Sequence, residues 1–284
     1  MRRHFAHQAA PQPRTEEGHA DRVSYDRIAE GYDDRFTRYV HEPQERLTRE
    51  LRLAPKERVL DLGCGTGVHS VAMLERVSPG EVVAVDSSPA MLKLAVQRAE
   101  ARSLKLTPWC AYAEQVIDEA EDGSFDVVSV RFCLAYLSWR EALPRLGRLL
   151  RPRGRVGLLT NLMTSTPQAY AVYQQMLDDL EISGIQPSVP ASVEEIVASL
   201  REGGLETTET FLHRFRIFFP SGLAAVEWMV ESGYATHPEL ERIEPSVVEQ
   251  LARAFGEQLE RRFGEAQGVP LDFEVAGVVA LRPG

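Results

Sequence analysis

Between Arg58 and Asp86 the chain reads RVLDLGCGTGVHSVAMLERVSPGEVVAVD, a pattern that few folds accommodate. Val59, Leu60 and Leu62 form a short apolar run that meets glycines at Gly63, Gly65 and Gly67. A helical pattern follows, and a second apolar run, Val82 to Val85, ends on Asp86. The spacing predicts a strand, a tight loop, a helix, a turn and another strand. Such a unit binds a nucleotide-like ligand beyond the carboxyl end of its first strand. Glycine lets the backbone approach the ligand, and a carboxylate ending the second strand can accept hydrogen bonds from both ribose hydroxyls. Asp86 holds that position.

Details of the loop narrow the ligand. The dinucleotide fingerprint is G-x-G-x-x-G, whereas these glycines read G-C-G-T-G, with Val68 where the last glycine would stand. Asp61 would add negative charge beside a pyrophosphate, and like charges at such a distance repel. A cationic ligand suits the loop better. DLGCGTG followed by VVAVDSSPAML resembles motifs I and II of the class I S-adenosylmethionine (SAM)-dependent methyltransferases. The competing readings are an NAD fold and a plain glycine-rich turn. The resemblance implies SAM as cofactor, held by Asp61, Gly63, Cys64, Gly65 and Gly67, by Asp86 and Ser87 at the ribose, and by Met91 against the adenine.

Composition bounds the partners. With 284 residues and 44% hydrophobic content the chain can bury a full α/β core and still carry a subdomain. A formal charge of −10 disfavours nucleic acid, which needs a concentrated basic face. Arg46, Arg49 and Arg52 are interleaved with Glu42, Glu45, Glu50 and Glu57, as on a solvated helix. Cys64, Cys110 and Cys133 lack metal-ligand spacing and suggest neither a disulfide framework nor a metal site, which fits a reduced, cytoplasmic compartment. No segment has the apolar length of a signal peptide or a membrane span. Residues 1–20, rich in Pro, Gln and His, are expected to form a flexible arm ahead of a catalytic domain over 21–284.

From Asp21 the sequence reads DRVSYDRIAEGYDDRF, which resembles the YD-x-x-A-x-x-YD element preceding motif I in ubiquinone- and menaquinone-biosynthesis-type methyltransferases. By that resemblance the segment folds over the cofactor, with Tyr25 or Tyr32 covering its methionine end; ordinary packing of an N-terminal helix is the alternative. A helix is expected over roughly Glu42 to Leu53, the first core helix over Val68 to Val77, and another over Ala90 to Ala101. Ser88 supplies the N-cap of the last and Pro89 its first position. Strand three, Leu104 to Tyr112, is interrupted by Pro108, and Tyr112 stands where the family has an acidic residue. Adenine contacts therefore shift to the Ala113 backbone and Glu114.

Ser124 to Val130 resembles the FDVV strand four of the family. Arg131 to Leu137 follows at the carboxyl edge of the sheet, so Arg131 and Tyr136 are expected to face the site. Many relatives carry two histidines where Ala135 and Tyr136 stand. LLRPRGRVGLLT resembles the element leading into strand five, so the match covers roughly Asp21 to Thr160. Beyond it, Ser192 to Glu202 reads as a helix, Glu206 to Ile217 as strand six and Asp272 to Leu281 as a final strand. Together these complete a Rossmann-like α/β fold with a seven-stranded sheet in the order 3-2-1-4-5-7-6, strand seven antiparallel. Two helix-like insertions remain, about 161–190 and 218–270. They carry Tyr170, Tyr173, Met176, Phe218, Phe219, Trp228, Met229 and Tyr234, as would a lid over an apolar substrate.

The expected activity is methyl transfer from SAM to an oxygen or activated carbon of a small, largely apolar metabolite, such as a polyketide-like secondary metabolite or a quinone precursor. Neither an Asn- or Asp-Pro-Pro-aromatic sequence, the signature of adenine or glutamine N-methylation, nor the paired glutamates of arginine methyltransferases is present, so a macromolecular target is not expected. A SAM-dependent cyclase and a non-catalytic SAM-binding module of the same fold are the alternatives. His69, just after the glycine loop, is expected to face the cofactor side or solvent. His237, beside Pro238 in the second insertion, is the candidate base, and Tyr136 the candidate orienting group.

Overall fold

The computed structural model describes residues 24–179, 189–234 and 244–284. His237 and residues 1–20 lie outside the described residues. The sheet is seven-stranded in the expected order 3-2-1-4-5-7-6. Its strands are β1 (Arg58–Leu62), β2 (Glu81–Asp86), β3 (Thr107–Cys110), β4 (Phe125–Arg131), β5 (Leu150–Asn161), β6 (Glu206–Phe219) and β7 (Val269–Leu281). The first five run parallel, and β7 lies antiparallel between β5 and β6.

Helices cover both faces of the parallel strands, which is why these strands read as nearly continuous apolar runs. Leu60, Leu62, Val83, Val128 and Leu158 face a layer made by α4 (Ala113–Glu119), α5 (Trp139–Leu149) and α7 (Val193–Glu202), through Ile117, Leu143, Leu146, Ile196 and Leu200. Their neighbours Val59, Val82, Ala84 and Val127 face the opposite layer, α1 (His41–Glu50), α2 (Val68–Val77) and α3 (Pro89–Glu100), through Leu47, Val71, Leu74 and Ala95. The period of two thus assigns successive side chains to separate cores. Leu143 and Leu146 are at most 1% exposed, so truncating either to alanine should cost about 2–5 kcal/mol.

A third cluster joins the C-terminal half to the N-terminal segment. It packs Phe36 and Val40 with α6 (Pro167–Asp179), α8 (Gly222–Glu231) and α9 (Pro245–Phe263) against Ile217, Phe219, Leu271 and Phe273 at one end of β6 and β7. Residues 24–39, helical in short stretches, form a strap feeding into α1.

Several element ends differ from the sequence expectation. The first helix stops at Glu50, because Arg52 adopts a left-handed φ of 46°. Strand three shrinks to Thr107–Cys110 as an edge strand, where Pro108, lacking an N–H, fits a sheet. Strands six and seven extend towards each other until Phe218 pairs with Pro270 and Phe219 with Val269. Phe218 and Phe219 therefore belong to a strand, and the second insertion begins after them.

Candidate active site

The glycine loop lies between β1 and α2, and its three glycines, at φ of 70°, 55° and 76°, serve two purposes. A Cβ on Gly63 would stand 2.7 Å from that of Cys133, and one on Gly67 would stand 2.5 Å from that of Ala95 in α3. Both positions are glycine because other chain segments press on them. Gly65 differs. A Cβ there would meet nothing nearer than Tyr32, at 3.9 Å. The space above Gly65 is where a ligand can approach the backbone.

Asp86 ends β2 beside that space. Its carboxylate accepts hydrogen bonds from the Gly65 amide at 2.8 Å and the Ser88 amide at 2.9 Å, so it fixes the loop and the following turn together. Burial pushes its carboxyl up to about 6, against the pull of those two amides. Each oxygen keeps a second acceptor position, as two ribose hydroxyls require. Ser88 caps α3 by accepting from the Met91 amide, and Met91 is buried in the first turn. Ser87 sits half-buried between β2 and α3. Ala113 is buried at the start of α4, and Glu114 accepts the Ser138 amide at 2.7 Å, joining the two edges of the expected adenine side.

Asp61 and Arg131 are placed differently from the expectation. Asp61 lies under the loop, where it accepts the Ser70 hydroxyl at 2.6 Å; burial raises its carboxyl and the nearby Arg131 opposes the rise. Arg131 turns its guanidinium into the protein, donating to the Gln44 carbonyl, the Thr48 hydroxyl and the Ser129 hydroxyl at 2.9–3.0 Å. Its donors brace α1 against β4 rather than facing the sheet edge, which corrects its reading as a ligand contact. His69 does not face solvent. It is buried with both ring nitrogens lacking a protein partner, its ring 6.5 Å from that of His41, and burial lowers its pKa to about 2.

The strap crosses above the loop. Asp33 accepts hydrogen bonds from the Thr66 hydroxyl at 2.6 Å and the Thr37 hydroxyl at 3.0 Å, and it pairs with Arg98. Asp26 accepts from the Ser88 hydroxyl at 2.6 Å and the Ala90 amide at 3.2 Å. These two carboxylates were missed in the sequence, although the repeated Tyr-Asp pair carried the signal. They hold Tyr25 and Tyr32 over the site. The Tyr32 hydroxyl is driven well above its usual range by burial first, then by Tyr136 and Asp86. The Tyr25 and Tyr136 hydroxyls are 2.6 Å apart.

The strands' carboxyl ends also gather the thiols of Cys64 and Cys133, both free, with burial pushing Cys133 up to about 12. Phe132, which begins the loop after β4, has a φ of 51°, an uncommon conformation for an aromatic residue. Its ring meets Phe36 edge-on at 5.3 Å. Among the described residues no group of His, Cys, Asp and Glu could hold a metal, and no helix is long and apolar enough to cross a membrane.

The arrangement fits SAM and not a pyrophosphate. The glycine loop has open space at one residue, the Asp86 carboxylate ends β2 beside that space, and a second carboxylate, Asp61, lies beneath the loop.

Comparison with known proteins agrees. A family model described as a methyltransferase domain matches residues 59–154. The chain is 31% identical to a demethylmenaquinone methyltransferase of Lactiplantibacillus plantarum, over 53% of this chain and 66% of that one. It is 28% identical to a malonyl-[acyl-carrier protein] O-methyltransferase of Marinomonas sp., over 91% and 92%, and 26% identical to nocamycin O-methyltransferase of Saccharothrix syringae, over 91% and 98%. The chain therefore spans just under two thirds of the first of these relatives and nearly all of the other two. Among solved structures, the YcgJ protein of Bacillus subtilis superposes with a TM-score of 0.61 at 17% identity, covering 86% of this chain and 99% of that one. The [4+2]-cyclase SpnF gives 0.60 at 17% identity, covering 97% and 99%. At such identities these two likenesses concern the fold.

Proposed function

We propose, for a chain that belongs to the class I SAM-dependent methyltransferase family, that it transfers the methyl group of SAM to an oxygen of a small, largely apolar molecule. The observation that carries this reading is the pairing of Asp86 with the amide of Gly65, the one loop glycine with open space above it. Oxygen is favoured over carbon because two relatives that match over nearly their whole length are named as O-methyltransferases.

SAM supplies an electrophilic methyl group on a positively charged sulfur. The protein's part is to bind, align and exclude water. Gly63, Gly65 and Gly67 bring the backbone to the cofactor, with Cys64 between them. Asp86, aided by Ser87, holds the ribose, while Met91, Ala113 and Glu114 enclose the adenine. Tyr25 and Tyr32 close over the methionine end. The aromatic cluster of Phe36, Phe132, Trp228, Tyr234 and Phe273 supports an apolar acceptor, and the two insertions serve as its lid. On this reading residues 21–284 act as one catalytic domain in a reducing, cytoplasmic compartment, on a secondary metabolite or quinone precursor.

Tyr136, after β4, orients the acceptor, and His237 is the candidate base. A base role requires a limb in the pH profile of kcat/KM near the ordinary histidine pKa of about 6.5 that vanishes in His237→Gln. An unchanged profile would mean that the enzyme works by positioning alone.

The likeness to a [4+2]-cyclase keeps a second reading, SAM-dependent cyclisation without methyl transfer. Methyl-labelled SAM incubated with the protein and an extract of the cells that make it separates the two. Label in a small molecule supports methyl transfer. Cofactor binding with no labelled product in any such extract would favour the second reading.

A further inference from the structure

The end of α8 meets the strap and the loop after β4. Gly233 follows this helix with a φ of 75°, and a Cβ there would lie 2.8–3.0 Å from the hydroxyl and ring of Tyr25. Its carbonyl lies 3.2 Å from the Tyr136 hydroxyl and 3.4 Å from that of Tyr25, while the two hydroxyls stand 2.6 Å apart. Each phenol has one proton, so one can donate to the other while the second serves the carbonyl. The rings cross edge-on at 5.6 Å, a favourable aromatic geometry. Three segments distant in sequence therefore meet at one carbonyl: the strap, the loop after β4 and the second insertion.

Neighbouring contacts tie the same segments again. The Trp228 indole of α8 donates to the Arg35 carbonyl of the strap at 2.6 Å, and the Arg35 guanidinium lies 3.1 Å from the Glu231 carboxylate. The next residue, Tyr234, places its hydroxyl 3.3 Å from that of Thr166, in the loop after β5, and its ring edge-on to Phe273 at 5.4 Å. The strap is also bound to the cofactor loop through Asp33 and Thr66. A movement of α8 away from the sheet edge must therefore break hydrogen bonds to a segment that grips the glycine loop.

We propose that Tyr25, Tyr136 and the Gly233 carbonyl form a clasp that couples the position of α8 to retention of the cofactor. Gly233 is then a positioning residue acting through the strap and α8, and Tyr136 adds this role to that of orienting the acceptor. The cofactor half of this statement rests on the methyltransferase reading; the mechanical half does not. Opening the clasp admits the acceptor and loosens the cofactor's cover, and closing it aligns both. Gly233 is specified twice, by its left-handed backbone and by the Tyr25 ring packed against its Cα.

Hydrogen exchange on the full ligand-free chain, comparing wild type with Tyr136→Phe, tests the mechanical half. Loss of the clasp should speed exchange in residues 24–31 and 222–234 together, by about fivefold, the scale of one hydrogen bond, with β1 and β4 unchanged. Tyr25→Phe should do the same, and the double variant should cost less than the sum of the two single changes, because the bond between the two hydroxyls is lost in either of them. Gly233→Ala should open the clasp from the other side. Release of S-adenosylhomocysteine, followed by stopped-flow, should quicken by a similar factor in Tyr136→Phe. Loosening of only the segment that carries the substitution, or additive single variants, would overturn the clasp. Unchanged release would overturn its coupling to the cofactor. If wild type bound no S-adenosylhomocysteine, the methyltransferase reading would fall instead, and the exchange comparison would still decide the clasp.

Discussion

Asp33 of the strap accepts the hydroxyl proton of Thr66 of the glycine loop at 2.6 Å, so the strap is fastened to the loop that it crosses. The same carboxylate pairs with Arg98 on α3. Asp33→Ala should therefore weaken SAM binding by about 1–2 kcal/mol, the scale of losing charge-assisted hydrogen bonds. Asp34→Ala, at the exposed neighbouring position, should leave it within about 0.5 kcal/mol. Calorimetric titration of both variants checks the difference; equal effects would show that Asp33 does not control the loop.

Gly65 and Gly67 should fail in different ways. A methyl group on Gly67 would press on Ala95 of α3 in a left-handed backbone, so Gly67→Ala should lower stability by about 1–2 kcal/mol for the conformation and a further 1–3 kcal/mol for overpacking. Gly65→Ala carries only the conformational part, because the space above it is open. Denaturant unfolding should rank Gly67→Ala as the less stable variant, while SAM titration should show that Gly65→Ala loses affinity despite folding. A reversed order would misplace the ligand.

The near-continuous apolar runs, the glycine loop, the Ser88-Pro89 cap and the strand order were legible in the sequence because local patterning and the parallel-sheet rules specify them. What escaped was decided by contacts between distant segments. Arg131 follows a strand end, as a ligand contact would, yet Gln44 and Thr48, some eighty residues earlier, supply the acceptors that turn it inwards. His69 opens a helix at the site and is buried because α1 passes over it. Asp26 and Asp33 find their donors on Ser88 and Thr66, some sixty and thirty residues later, so no local pattern specifies their partners. Phe218 and Phe219 read as lid residues because alternation fades where β6 and β7 pair beyond the sheet's other strands.

His69 should make the protein acid-labile. Its folded pKa of about 2 lies below the ordinary value of about 6.5, so the unfolded chain takes up the proton first. The stabilising effect is complete above pH 6.5 and is lost as the pH falls below it. His69→Leu removes a buried ring whose nitrogens have no protein partner and should keep or raise stability at pH 7. Melting curves from pH 7.5 to 4.5 should fall less steeply in the variant than in wild type; parallel curves would mean that His69 protonates in the folded state.

Asp86 should give cofactor binding its own pH limb. Its carboxyl is raised to about 6 without ligand, and the ribose hydroxyls need the ionised form as acceptor. SAM affinity should be constant above pH 7 and decline as the pH drops through 6. The sign for stability is opposite to that of His69: a raised carboxyl costs the ligand-free fold stability as the pH climbs from about 4, the ordinary value, to 6. Titrations at pH 5.5, 6.5 and 7.5 check the affinity limb, and a flat profile would show that the Asp86 carboxylate does not meet the ligand.

Calorimetric titration of SAM and of NAD into wild type and Asp86→Ala is the most direct measurement. Wild type should bind SAM with a dissociation constant on the order of 1 μM, equivalent to about −8 kcal/mol, and should not bind NAD. Asp86→Ala should weaken SAM by about 1.5–3 kcal/mol, the range for hydrogen bonds to a charged group. Unchanged SAM affinity in Asp86→Ala, or a wild type that takes NAD and refuses SAM, would contradict the assignment of the site.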